Sequence, residues 1–352
     1  MSQELSPSGP AEGARPGRKA RSWVVNLILC LVAFALLGWT VYSNRAKLAD
    51  VLHREIDWKL FAAAFLIYLS GLMLTFVRWF VLLKTVDVHL RLVDVFRLGF
   101  IGNVFNLVIP GAVGGDVVKA GFLYGRVPPD RRAKGMASMV IDRMVGLIGL
   151  FLLAAAMGGV AWPRASAEVH RLTWIALGAS ACGLFGLGLL FTPALYRPAE
   201  KLLHFRPRLE HVLEQLVGMA SAFRARKGVV GFTIGMSMAN HTMNVVAFYL
   251  VGRALFGAVP SLFDHFVIVP LVLFTTAVPL PFGALGLSEQ VSEQLFDLVE
   301  HPGGAIAMMG FRLVMYAAAA VSVVVYLANM SQVREYEKTI EQAREQGAEM
   351  GG

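Results

Sequence analysis

Asp116, Lys119, Asp142, Arg143, Glu289, Arg312 and Arg78 all lie in or beside apolar stretches of a 352-residue chain, where charge needs a reason. A charged side chain at the centre of a bilayer costs at least ~2.5 kcal/mol on insertion scales. Such residues mark ion or substrate paths, or buried pairs. Cations of this kind can hold a phosphate, and the acids can balance those cations or change protonation. Asp142 and Arg143 are sequence neighbours and point to different sides of a helix, so each needs its own partner or cavity. Arg78 lies about five residues, roughly 7 Å, from a helix end, within snorkelling reach. Arg312 lies roughly eight residues, about 12 Å, into the last apolar run. That depth directs it into the bundle, toward a carboxylate such as Glu289 or toward an anionic substrate.

Two further groups of polar residues share this setting. Thr233, Ser237, Asn240, His241 and Asn244 recur at spacings of three and four, so most fall on one face of a helix. The stripe fits interhelical hydrogen bonding or a water-lined substrate path, and both stay open. A lone histidine does not establish proton coupling. Asn103 and Asn106 precede a Gly/Pro break, where they either satisfy loose backbone groups or contact a head group.

The break itself has an echo. Residues 110–114 read PGAVG and residues 281–286 read PFGALG. With one inserted residue, Pro110 matches Pro281, Gly111 matches Gly283 and Gly114 matches Gly286; Asp116 and Glu289 follow within three residues. Glycines permit tight turns, prolines free carbonyls that can bind a cation, and a helix N-terminus after the break can hold an anion. The GAVGGDVVK segment lacks the G-K-[ST] ending of a nucleotide-binding loop.

The elements that position these residues are membrane helices. Hydrophobic residues make up 56% of the chain and charged residues 16%, against about 25% in soluble domains. Long apolar segments at 23–43, 60–83, 137–160, 172–192, 229–256 and 304–329 predict six full spans, an all-α polytopic bundle over 23–329. Two broken segments, near 99–115 and 265–287, are expected to be re-entrant. Three crossings separate them, so the second is presented from the opposite side of the membrane, the pattern of an inverted repeat. The same breaks also fit kinked helices or interfacial loops that handle no substrate.

The net charge of +8 is read as the basic bias of cytoplasmic loops, not as nucleic-acid binding. Loops 116–136 and 193–228 are basic, whereas 257–264 has no Lys or Arg, which places both termini in the cytoplasm and the protein in the cell membrane. Residues 1–22 are expected to be a disordered basic tail and 330–352 a short polar one. Cys30 and Cys182 lie in apolar runs, so neither a disulfide nor a zinc site is expected.

The pattern N-x-x-N-L-x-I-P-G-x-x-G-G-D-x-x-K at 103–119, S-x-x-x-D-R at 138–143 and P-L-P-x-G-x-L-G-x-x-E at 279–289 resembles the transmembrane region of lysylphosphatidylglycerol synthases, a flippase-like membrane family. The resemblance spans about residues 20–330. It implies a bundle with re-entrant segments that moves a lipid between leaflets. By motif matching it carries over Asn106, Pro110, Gly111, Gly115, Asp116, Lys119, Asp142, Arg143, Pro281, Gly283, Gly286 and Glu289. Asn103, Asn240, His241 and Arg312 join them as candidate substrate contacts on the residue reading alone. Lys119 stands where the family pattern leads one to expect Arg, and no soluble aminoacyl-transfer domain follows the last span. Lipid aminoacylation by this chain alone is therefore not expected. The expected activity is transport of an anionic or polyprenyl-linked lipid, with no catalytic residue, metal or cofactor. A membrane-embedded lipid-phosphate transferase and a non-transporting partner of a separately encoded lipid-modifying enzyme are the alternatives.

Overall fold

In lipid every backbone N–H and C=O must be satisfied within the protein, and a helix does this residue by residue. The computed structural model describes residues 17–108, 114–192, 221, 223–278, 280–301 and 303–329, and its regular elements are all helical. In chain order these are α1 (Gly17–Ser43), α2 (Arg45–Leu52), α3 (Trp58–Thr85), α4 (Leu92–Val108), α5 (Gly114–Arg126), α6 (Pro129–Ala161) and α7 (Ala167–Phe191). Then come α8 (Lys227–Phe256), α9 (Leu262–Thr275), α10 (Leu287–Asp297) and α11 (Gly304–Ala328). A single turn, Pro281–Ala284, lies between α9 and α10. Residues 1–16 and 330–352 of the two expected tails fall outside the described residues, as do Pro110 and Gly111.

Among the described residues four helices are long and apolar enough to cross a membrane: α3, α6, α7 and α11. At 28 residues, α3 is about 42 Å long, more than the ~30 Å hydrocarbon core requires. The expected span at 229–256 is also a long helix, α8, with 30 residues. Its polar stripe lowers its mean hydropathy, and that stripe faces protein: Thr233, Ser237 and Asn240 are buried. The expected span at 23–43 corresponds to α1, a continuous 27-residue helix that begins at Gly17.

The two broken segments share one design. The legs of the first are α4 and α5, with 17 and 13 residues, and the legs of the second are α9 and α10, with 14 and 11. At about 1.5 Å per residue each leg is shorter than the hydrocarbon core. In both segments the legs pack on each other. A Cβ on Gly102 would come within 3.1 Å of Gly115 Cα, and Thr275 donates a hydrogen bond to Ser288 Oγ at 3.0 Å.

The long helices repeat the design. α3 and α8 pack antiparallel: Asp57 N–H bonds Ala254 C=O, Gly71 abuts Asn240, and Arg78 reaches Ser237. α4 packs on α11, and α9 packs on α6, so each broken segment lies against the long helix that follows the other. Two large apolar clusters and one small one result among the described residues. One large cluster is built around Trp79, Leu82, Leu123 and Ile141, the other around Phe248, Phe296 and Phe311. Between helices in lipid such packing works through van der Waals contact, which small residues improve. At Gly149 the helices come so close that a Cβ would sit 2.4 Å from Ser237 Cβ.

Candidate functional site

A cavity of about 410 Å³ opens where α3, α4, α5, α6 and α8 converge. It gathers Asn103, Asn106, Gly115, Asp116, Lys119, Asp142, Arg143, Asn240 and His241 from the expected site residues. A second cavity of about 180 Å³ shares Asn103 and Asn106 and is closed by Tyr68, Thr276, Phe282, Gly283 and Met315. The two Asn residues thus line both cavities.

Each charge in the larger cavity has a defined setting. Arg78 donates from Nε to Asp142 at 2.8 Å and from Nη1 to Ser237 Oγ at 2.6 Å. Ser237 donates its own hydrogen bond to Thr233 C=O at 2.9 Å. Arg78 is buried, so it does not snorkel; it joins α3 to α6 and α8. Arg143, on the other side of α6, pairs with Asp116 at 2.8 Å, with side chains 48% and 25% exposed. The neighbours Asp142 and Arg143 therefore do have separate partners.

Lys119 differs from both arginines. Its ammonium lies over the Trp79 ring, 4.4 Å from the centroid, and among the described residues it makes no ion pair. Trp79 is held by a 3.1 Å hydrogen bond to Ser138 Oγ, so the aromatic face is fixed. A cation on an aromatic face in a polar cavity has its charge only partly answered.

The asparagines hold the first hairpin in shape. Asn106 Oδ1 accepts from Gly115 N–H at 2.7 Å, satisfying an amide in the first turn of α5. Asn103 donates to Ser322 Oγ at 3.1 Å and ties α4 to α11. His241 Nε2 bonds Gly146 C=O at 3.0 Å, and its Nδ1 is buried with no partner among the described residues.

The second break is arranged differently. Phe282, Gly283, Ala284 and Gly286 all take positive φ, a left-handed run that turns the chain between α9 and α10. Glu289 Oε2 accepts from Gly286 N–H at 2.7 Å and caps α10. Its other oxygen accepts from Arg312 Nε at 2.5 Å, and Arg312 Nη1 donates to Phe282 C=O at 2.5 Å. Pro281, Gly286, Glu289 and Arg312 lie outside both cavities, and Gly283 lines only the smaller one. Arg78 stood out in the sequence as a charge within snorkelling reach, not as the partner of Asp142 that it is. Trp79 and Gly146 were missed, because they act through a ring face and a backbone carbonyl.

Comparison with known proteins is consistent with this arrangement. A family model described as the lysylphosphatidylglycerol synthase TM region matches residues 24–324. A UPF0104 membrane protein of Pyrococcus horikoshii is 26% identical over 129 residues, which is 36% of this chain and 37% of that protein. The match thus spans little more than a third of that relative's length.

Proposed function

The chain belongs to the lysylphosphatidylglycerol synthase TM region family, and we propose that it moves an anionic or polyprenyl-linked lipid between the leaflets of the cell membrane. The observation that carries this reading is Lys119, a cation that among the described residues makes no ion pair, in a cavity of about 410 Å³. A phosphate entering the cavity gains that charge outright. At the mouth it meets the half-exposed Arg143, whose bond to Asp116 can be exchanged for one to the phosphate. The lipid tails stay in the bilayer while the head group alone passes through the polar chamber.

In this reading the two broken segments dip into the membrane from opposite faces. Three long helices, α6, α7 and α8, separate them, and α3 and α8 run antiparallel. Alternating access then exchanges the roles of two similar halves around Asn103 and Asn106. Transport needs a head group that binds both facing states with comparable affinity. Both termini are placed in the cytoplasm. Labelling a cysteine introduced at Ser166, in the connection before α7, from outside only supports that placement, and labelling from inside reverses it.

Reconstituted protein tests the function. Fluorescent phospholipids and polyprenyl phosphates in proteoliposomes are expected to cross faster with the protein than without it. Lys119→Gln is expected to slow the crossing by roughly tenfold or more, because a hydrogen bond to a charged group contributes ~1.5–3 kcal/mol. Wild-type protein that speeds no such lipid rejects the reading.

A further inference from the structure

His241 lies near the middle of α8 and lines the cavity. A carbonyl oxygen can only accept a hydrogen bond, so the contact with Gly146 C=O puts the ring proton on Nε2. Nδ1 then carries a lone pair. That atom is buried, and no N–H or O–H among the described residues reaches it. A Cβ on Gly146 would sit 3.4 Å from Arg78 Nη2, so a guanidinium already supplies the positive charge of this corner. Asp142 Oδ1 accepts from Arg78 Nε at 2.8 Å, and no hydrogen bond from Asp142 to His241 occurs among the described residues. The ring therefore presents a buried acceptor with no donor.

We propose that the head group received by this cavity carries a hydroxyl that donates to His241 Nδ1 while its phosphate is held at Lys119. This deepens the lipid-transport reading and rests on it. The substrate class is then a phosphodiester or phosphate lipid with a polyol or sugar on the phosphate. An alkyl head group of the same charge leaves Nδ1 unpaired, and a buried acceptor left unpaired costs enough to discriminate strongly against it. Lys119 sets the requirement for negative charge, and His241 sets the requirement for a donor.

The probes are phosphatidylglycerol and phosphatidylpropanol with identical chains, which share one negative charge and differ in hydroxyls. Competition binding to the full-length purified protein is read by native mass spectrometry, alongside transport of fluorescent forms. Wild type is expected to favour the glycerol head group about tenfold. His241→Gln, which retains an N–H for Gly146 and removes the acceptor at the Nδ1 position, is expected to bring that ratio near one. His241→Asn, whose amide oxygen falls near the Nδ1 position, is expected to keep part of it. Lys119→Gln is expected to weaken both lipids equally and leave the ratio unchanged. Equal binding of the two lipids by wild type, or a preference that survives in His241→Gln, overturns the proposal while leaving lipid transport standing. Failure of wild type to bind or move either lipid removes the transport reading and this proposal with it.

Discussion

The two broken segments carry the same parts in different states. In each, an acid sits in the first turn of the helix after the break, and an arginine reaches it from the long helix that follows. At the first break the pair is Asp116 with Arg143, 25% and 48% exposed. At the second it is Glu289 with Arg312, 0% and 5% exposed. The first pair borders the larger cavity, whereas the second is closed over by α1, whose Phe34 ring lies 5.9 Å from that of Phe282. Equivalent chemistry therefore serves two ends: an ion pair in a wet cavity can be traded for a ligand, and one sealed in protein holds the turn together.

Removing a charge from the sealed pair tests the contrast most severely. Arg312→Ala leaves Glu289 buried and unpaired and frees the Phe282 carbonyl, so a loss of ~3–5 kcal/mol is expected. The measurement is thermal unfolding in detergent followed by size-exclusion chromatography, with little folded protein expected. The charge-exchanged variant with Glu289→Arg and Arg312→Glu is not expected to recover, because a carboxylate cannot donate to the Phe282 carbonyl. Full recovery shows that the Coulomb attraction alone mattered.

A smaller effect is expected from Gly286→Ala. This residue has φ +84°, and its Cβ would sit 2.5 Å from Leu36 Cβ and Leu37 N on α1. Crowding of this kind typically costs ~1–3 kcal/mol. α1 is expected to move off the second break, which a cysteine pair at Phe34 and Phe282 reports as slower cross-linking. An unchanged cross-linking rate would mean that α1 does not seal the turn, and the contrast between the breaks would lose its structural cause.

Much of this was legible in the residues themselves. The echo between PGAVG and PFGALG falls between short helical legs in both places, and the adjacency of Asp142 and Arg143 signals two separate partners without naming Arg78 or Asp116. Arg312 was too deep to snorkel, and Glu289 was the named carboxylate. Other features left no such trace. Arg78 meets Ser237 across 159 residues, and no local spacing encodes so long a contact. The partner of His241 is a backbone carbonyl, which every residue has, so residue type carries no signal. α8 is not among the helices that length and composition mark as spans, and its polar stripe is buried in protein, which only packing reveals. Depth, charge and Gly/Pro punctuation can be read along the chain; which acid stays wet and which is sealed depends on α1 lying over one break.

The mildest substitution bears most directly on function. Asp116→Asn removes one partner of a pair that water partly screens, so stability is expected to change by only ~0–1 kcal/mol. The charged bond from Arg143 to Asp116 is then weakened, and a phosphate at the cavity mouth no longer competes with that carboxylate. Head-group binding is expected to tighten while movement between leaflets slows, because a site that binds one facing state too well resists leaving it. Binding by native mass spectrometry and crossing in proteoliposomes are therefore expected to move in opposite directions. Glu289→Gln, at the sealed pair, is expected instead to lower folded yield with no gain in binding, since Arg312 does not line the larger cavity. If the two variants destabilise the protein equally and neither changes binding, the open and sealed pairs are the same device, and exposure does not separate a substrate contact from a structural one.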